Sequence, residues 1–310
     1  MQESILMQEL ENTILHFYKN TLVHGSVNGT ENIKLSYVAH KKENVKGSLV
    51  IISGRIDSCV RHAEFLHDIK DIPYSVYILD HRGIGFSERL IDDPYKGHVD
   101  SFDNYSADLK LFIDTVVIKD DPKKIVILGY SMGGTVSLDY LINYNHNIDK
   151  LILCSPMLKV KTGLSERIAY FIVNLLIKFN KETDYIPGGN KYDFSRVFFN
   201  LSSSKIRYSM LKYLRDLYPM IILKAPTNRW LKETIKATRI VRREIKKIDT
   251  PVLLLQAAKE AVVDKQTQDK LAEDLSNCHK IIIPEAKHDL LMEKDSMRDI
   301  AIKAILDFLD

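Results

Sequence analysis

KIVILGYSMGG, residues 124–134, joins a continuous apolar run to a Gly-x-Ser-x-Gly turn. The run is short, rich in β-branched residues and preceded by Pro122, as expected of a strand covered on both faces. A helical pattern follows at once, over 132–144. A chain that passes from strand to helix so abruptly pinches its middle residue, Ser131, into a strained backbone conformation. Glycines two positions to either side, Gly129 and Gly133, leave room for the close approach this requires. The Ser131 hydroxyl then projects above the carboxyl edge of a sheet, beside a helix N-terminus, where α/β sheets place their ligands.

The same grammar runs outward in both directions. SLVIIS (48–53), YSVYILD (74–80), KLILCS (150–155), PVLLLQA (251–257) and KIII (280–283) read as further buried strands bounded by Gly or Pro. Helical patterns at 60–70, 102–118, 266–276 and 296–309 alternate with them. This order predicts a doubly wound α/β fold with a mostly parallel sheet and right-handed crossovers. Between about 157 and 240 the alternation stops and only helical patterns remain. The expected organisation is therefore a core of 1–157 and 240–310 with a helical cap, 158–239, inserted into it.

Composition narrows the class. Of 310 residues, 45% are apolar and 27% charged, the balance of a soluble globular chain. Cys59, Cys154 and Cys278 are far apart and form no Cys-x-x-Cys pair, so neither a zinc site nor a redox dithiol is expected. No metal or organic cofactor is called for. The first twenty residues carry Glu3, Glu9 and Glu11 and lack the basic and apolar regions of a signal peptide. The longest apolar run elsewhere, IAYFIVNLLI at 168–177, is too short for the roughly 20 residues that cross a bilayer. A cytoplasmic protein is expected, or one peripheral on the cytoplasmic membrane. Charge is unevenly spread. Residues 158–247 hold 20 Lys and Arg against 7 Asp and Glu, a net of +13 in a chain of +3 overall. A basic cap suits contact with an anionic membrane surface. No nucleic-acid recognition motif accompanies the charge. The densest cluster is Arg242, Arg243, Lys246 and Lys247.

A serine hydroxyl needs a base to take its proton. In proteins built on this turn the partners follow in the order acid, then histidine. His288, in the loop after KIII, holds the base position; His279 lies at the wrong end of that strand. The acid should follow PVLLLQA, where Glu260 and Asp264 are both available. Position favours Glu260, whereas Asp264 before Lys265 and Gln266 suits a helix N-cap. An oxyanion formed on attack requires N–H donors, assigned to Met132 and, from the loop after SLVIIS, Arg55.

With those residues in place the chain resembles the bacterial lysophospholipases of the α/β-hydrolase superfamily, relatives of the monoacylglycerol lipases. SGRIDS (53–58), LDHRGIGFSER (79–89), GHVDSFDNYSADL (97–109), GYSMGG (129–134), APTNRWLKE (225–233), LLLQAAKEAVVD (253–264) and AKHDLLMEKDSMRD (286–299) carry the likeness. Ser53-Gly54 stands where many relatives have His-Gly, which fits the lysophospholipase branch. An acidic residue is often found in the family at the positions of Ala258 or Lys259. The resemblance implies a Ser131–His288–Glu260 triad and hydrolysis of a lipid ester, with a lysophospholipid as substrate. Monoacylglycerol lipase or general carboxylesterase activity is the alternative, and a non-catalytic binding protein on the same fold a more distant one. Phe171, Ile172, Leu175, Leu176 and Phe179 are the cap residues expected to line an acyl channel.

Overall fold

In the computed structural model, which describes residues 1–120 and 122–310, eight strands form one sheet. They are β1 (Val23–Asn28), β2 (Lys34–His40), β3 (Gly47–Ile52), β4 (Tyr74–Leu79), β5 (Ile125–Tyr130), β6 (Lys150–Cys154), β7 (Val252–Ala257) and β8 (Cys278–Ile283). Their spatial order is β1-β2-β4-β3-β5-β6-β7-β8. β1 and β2 pair antiparallel, as do β2 and β4, and every other neighbouring pair is parallel. The order reverses at β3, so crossovers leave to both sides and helices cover both faces. α1 (Glu3–Glu9), α2 (His16–Asn20) and α3 (Ala63–Asp68) precede α4 (Asp103–Phe112) and α5 (Met132–Asn143). α6 (Glu166–Lys178), α7 (Phe194–Leu201), α8 (Lys205–Leu217) and α9 (Asn228–Glu244) all fall between β6 and β7. α10 (Lys265–Asp274) and α11 (Asp295–Leu309) complete the order.

The uninterrupted apolar runs follow from this layering. Every residue of β3, β4, β5 and β7 is buried. Successive side chains point to opposite faces, so Leu49 and Ile51 join one core while Val50 and Ile52 join the other. The six strands expected from the sequence are present, with ends shifted by a residue or two. β1 and β2 were not among them. They lie at the sheet's edge, β1 buries none of its residues, and VHGSVN gives no apolar run to read.

The inserted helices divide between the two cores. α8 contributes Met210, Leu211 and Leu214 to one, and α9 contributes Trp230, Leu231, Ile235 and Val241 to the other. α9 packs on both α5 and α6. The expected division at 239/240 therefore falls inside a helix that packs on both the core helix α5 and the inserted helix α6. Helical periodicity does not state which neighbour a helix meets, so the pattern alone did not place the boundary.

Four arginines are almost wholly buried, and each meets a carboxylate. Arg207 of α8 donates to Glu64 (2.7 Å), to Asp295 (2.9 Å) and to the Glu293 carbonyl (2.6 Å). Arg61 pairs with Asp57 and Asp289, and Arg298 with Asp68. Arg82 grips Asp108 through Nε (2.7 Å) and Nη2 (2.9 Å) and reaches Glu31 (2.8 Å), tying the β4–α4 connection to the β1–β2 turn. Both members of the Arg82–Asp108 pair are 1% exposed. Removing one partner of a buried pair strands the other charge in a low dielectric. Arg82→Met is expected to lower unfolding free energy by about 3–5 kcal/mol, measured by urea denaturation; a loss below about 1 kcal/mol would show that the pair behaves as a solvated one.

Candidate active site

β5 delivers its last residue directly to the turn. Ser131 has φ 50° and ψ −112°, between Tyr130 and the first residue of α5. Its amide donates to the Cys154 carbonyl (3.0 Å), and its carbonyl accepts from Gly134 (3.0 Å) and Met157 (2.9 Å). The two motif glycines are required by space rather than by φ. A Cβ on Gly133 would lie 1.9 Å from the Ile52 carbonyl oxygen, and one on Gly129 would lie 2.8 Å from the Gly134 Cα. The start of α5 thus rests directly on the end of β3.

His288 stands in the loop after β8 and is 2% exposed. Its Nε2 lies 2.8 Å from Ser131 Oγ and its Nδ1 lies 2.7 Å from Glu260 Oε2. The other Glu260 oxygen accepts from the amides of Val262 (2.8 Å) and Val263 (3.1 Å). Burial works to raise the Glu260 pKa, but His288 and these two amides outweigh it and hold the carboxyl below its ordinary value. An ionised Glu260 accepts only, so Nδ1 must donate to it. Nε2 is then left free to accept the serine proton.

Asp264 does something else. It caps α10 by accepting from the Thr267 amide (3.0 Å) and pairs with Lys159 (2.9 Å). Of the two acids the sequence left open, Glu260 is the one brought to His288.

The amides of Arg55 and Met132 donate to no protein acceptor among the described residues. The loop bearing Arg55 is pinned from behind: the Gly54 amide donates to Asp57 (3.0 Å), which also accepts from Arg61 (2.9 Å). Burial alone would raise Asp57, but Arg61 and His62 overcome it and keep the carboxyl far below the usual range. Through its other nitrogen Arg61 holds Asp289, the residue after the candidate base. One guanidinium therefore fixes the candidate oxyanion loop relative to the histidine loop. The sequence reading missed this arrangement. The spacing Asp57-x-x-x-Arg61 was the available signal, and its long-range partner Asp289 was not legible.

A cavity of about 360 Å³ opens over Ser131 and His288, within the range of small-molecule sites. Its apolar wall includes Met157, Val160, Ile186, Val197, Leu201 and Trp230. None of Phe171, Ile172, Leu175, Leu176 and Phe179 lines it, which corrects the expected acyl channel. α6 packs inward through Ala169 and Val173 and turns Ile168, Phe171 and Leu175 outward; Phe171 and, just past the helix end, Phe179 are each 67% exposed. The helical repeat was read correctly, but which of its faces met protein was not.

The mostly parallel eight-stranded sheet, with a strained serine turn at its carboxyl edge, defines an α/β hydrolase. The chain belongs to the serine hydrolase family described as serine aminopeptidase, S33, which matches residues 43–295. It is 31% identical to the probable lysophospholipase L2 of Haemophilus influenzae, over 92% of this chain and 91% of that one. It is 33% identical to the lysophospholipase L2 of Escherichia coli K12, over 91% and 86%. Among solved structures, a soluble variant of the Saccharomyces cerevisiae monoglyceride lipase bound to a substrate analogue shares the fold. It has a TM-score of 0.74 at 18% identity and covers 93% of this chain and 94% of that one.

The contact at Gly133 yields a test. Gly133→Ala must push the Ile52 carbonyl aside, and overpacking of this kind costs about 1–3 kcal/mol. A lower melting temperature is expected by calorimetry, and an unchanged one would contradict the close approach of α5 to β3.

Proposed function

We propose that the protein is a lysophospholipase that removes the single acyl chain of a glycerophospholipid. The observation that carries this is the hydrogen-bonded line from Ser131 through His288 to Glu260 at the floor of a largely apolar cavity. In this reading Ser131 Oγ attacks the acyl carbonyl while its proton passes to His288 Nε2. The Arg55 and Met132 amides receive the oxyanion. Collapse of the tetrahedral intermediate expels the glycerophospho-alcohol, which takes the proton back from His288. Water, deprotonated by the same nitrogen, then attacks the acyl-enzyme and releases the fatty acid. Glu260 holds the imidazole in the required tautomer and stabilises its cation. The reaction uses no metal or organic cofactor. The relatives named as lysophospholipases support the head group. An aminopeptidase substrate fits poorly, because among the described residues lining the cavity no carboxylate stands ready for its ammonium, whereas Arg55 carries an unpaired positive charge.

Ser131→Ala is expected to lower kcat against lysophosphatidylethanolamine by several orders of magnitude, with His288→Ala adding little in the double variant. Glu260→Gln should cost on the order of 10³- to 10⁴-fold and Asp264→Asn far less. Steady-state assays of the folded variants decide, and a fully active Ser131→Ala enzyme would end this reading.

The residues we propose as the cap, 158–239, also suit docking on an anionic bilayer. Leu164, Ile168, Phe171, Leu175 and Phe179 form one exposed stripe at helical spacing, within the segment of high positive charge. No helix among the described residues is long and apolar enough to cross a membrane. An amphipathic helix of this kind instead lies in the interface. The cluster of Arg242, Arg243, Lys246 and Lys247 is largely spent on Glu166, Glu244 and Asp274, so the docking face centres on α6. Cosedimentation should show binding to phosphatidylglycerol vesicles, weakened by salt as the Debye length falls from about 10 Å at 0.1 M to about 3 Å at 1 M. Replacing Phe171 and Phe179 by Asp should weaken it at least about tenfold. Equal binding to neutral and anionic vesicles, or to neither, would leave the stripe and its charge without this role.

A further inference from the structure

The almost wholly buried arginines described above all meet carboxylates. Arg55 does not. Its side chain is partly buried at the catalytic cavity, and no carboxylate pairs with it among the described residues. Nη1 donates to the Lys224 carbonyl (2.8 Å), and the guanidinium carbon lies 5.5 Å from the centre of the Trp230 ring. A Cβ on Gly97 would lie 2.9 Å from Nη1, so the glycine leaves room for the guanidinium to reach this position. Burial depresses its pKa and outweighs the opposing influence of Tyr192 and Tyr105. Arg61, on the same cavity, is already neutralised by Asp57 and Asp289. Lys161 is bonded to the Glu260 carbonyl (3.3 Å). With Arg61 neutralised and Lys161 exposed at the rim, Arg55 is the cavity cation left to meet an incoming anion.

We infer that the Arg55 side chain is a phosphate subsite that selects phosphate-bearing lipid esters over neutral ones. The inference rests on the reading of Ser131 as nucleophile and of a lysophospholipid as substrate. Two roles then meet in one residue: the Arg55 amide faces the oxyanion and its guanidinium faces the head group. The chemistry of the substrate requires this proximity, since the phosphate lies one glycerol unit from the scissile carbonyl. A planar guanidinium with one nitrogen already held by a carbonyl presents its remaining N–H groups to phosphate oxygens in a fixed direction. The Trp230 face beside it steadies the cation. A monoacylglycerol offers a hydroxyl at the corresponding position and gains little from the charge.

The test measures kcat/KM for lysophosphatidylglycerol and for monoacylglycerol of the same acyl chain, both in neutral detergent micelles. Membrane docking then plays no part. The quantity read is the ratio of the two. Arg55→Gln should lower that ratio on the order of 10- to 100-fold, as expected for loss of a charge-assisted bond. Arg55→Lys should fall between it and the wild type. Gly97→Ala displaces the guanidinium without removing its charge and should lower the ratio by a smaller factor, which keeps the test available if Arg55→Gln does not fold. A ratio unchanged within about twofold in these variants, or parallel loss on both substrates, overturns the assignment. Failure of the underlying reading looks different: the wild-type enzyme would hydrolyse monoacylglycerol and leave lysophosphatidylglycerol untouched.

Discussion

Ser131 occupies a backbone conformation that costs an ordinary residue about 1–3 kcal/mol. It is kept there by its bonds to Cys154, Gly134 and Met157 and by the seating of Gly133 against the Ile52 carbonyl. That seating organises the rest of the site. Ile52 ends β3, and Ser53, Gly54 and Arg55 follow it, so the absence of one side chain on α5 brings the serine turn and the Arg55 loop together. His288 and Glu260 then need only reach across from the next loops along the sheet edge. Their hydrogen bonds at 2.8 and 2.7 Å show that they do.

What the sequence disclosed follows from which physical constraints are local. The parallel strands were legible because each is a short apolar run bounded by Gly or Pro residues, and the serine turn because its glycines are spaced by sterics within a few residues. His288 and Glu260 were legible from their distance to a strand end. Asp264 announced itself as a cap through the residues after it, and the structure gives it that place. The antiparallel strands β1 and β2 were not legible, since polar residues at their exposed and half-buried positions interrupt any apolar run. The outward face of α6 was not either. An amphipathic helix states that one side is apolar but not what that side meets. The Asp57–Arg61–Asp289 bridge was hidden for a third reason: its members come from opposite ends of the chain.

Charge shows the same limit. A net of +13 along 158–247 suggests a uniformly basic surface. In the fold, part of that charge is consumed internally. Arg207 is sealed against Glu64 and Asp295, Arg239 and Arg242 share Glu166, and Lys159 holds Asp264. Charge counted along a chain and charge presented to a ligand differ by the pairs that folding makes. A cation left without a carboxylate inside a cavity is therefore more informative than one on the open surface.

The Arg207 contacts have a mechanical consequence. Arg207 belongs to α8, yet its carboxylate partners lie in α3 and α11, so one inserted helix is fastened to the framework at a fully buried point. The Leu201 carbonyl is held by the Asp289 amide (2.8 Å), and 182–186 is laced to 226–229 by main-chain bonds. α7 shares in this bracing: it carries Val197 and Asn200 of the cavity wall, buries Phe198 and Leu201 in the core, and joins α8 through the Ser195 and Tyr208 hydroxyls (2.8 Å). Lifting this wall from the sheet edge would break a buried ion pair, so it acts as a brace rather than a flap.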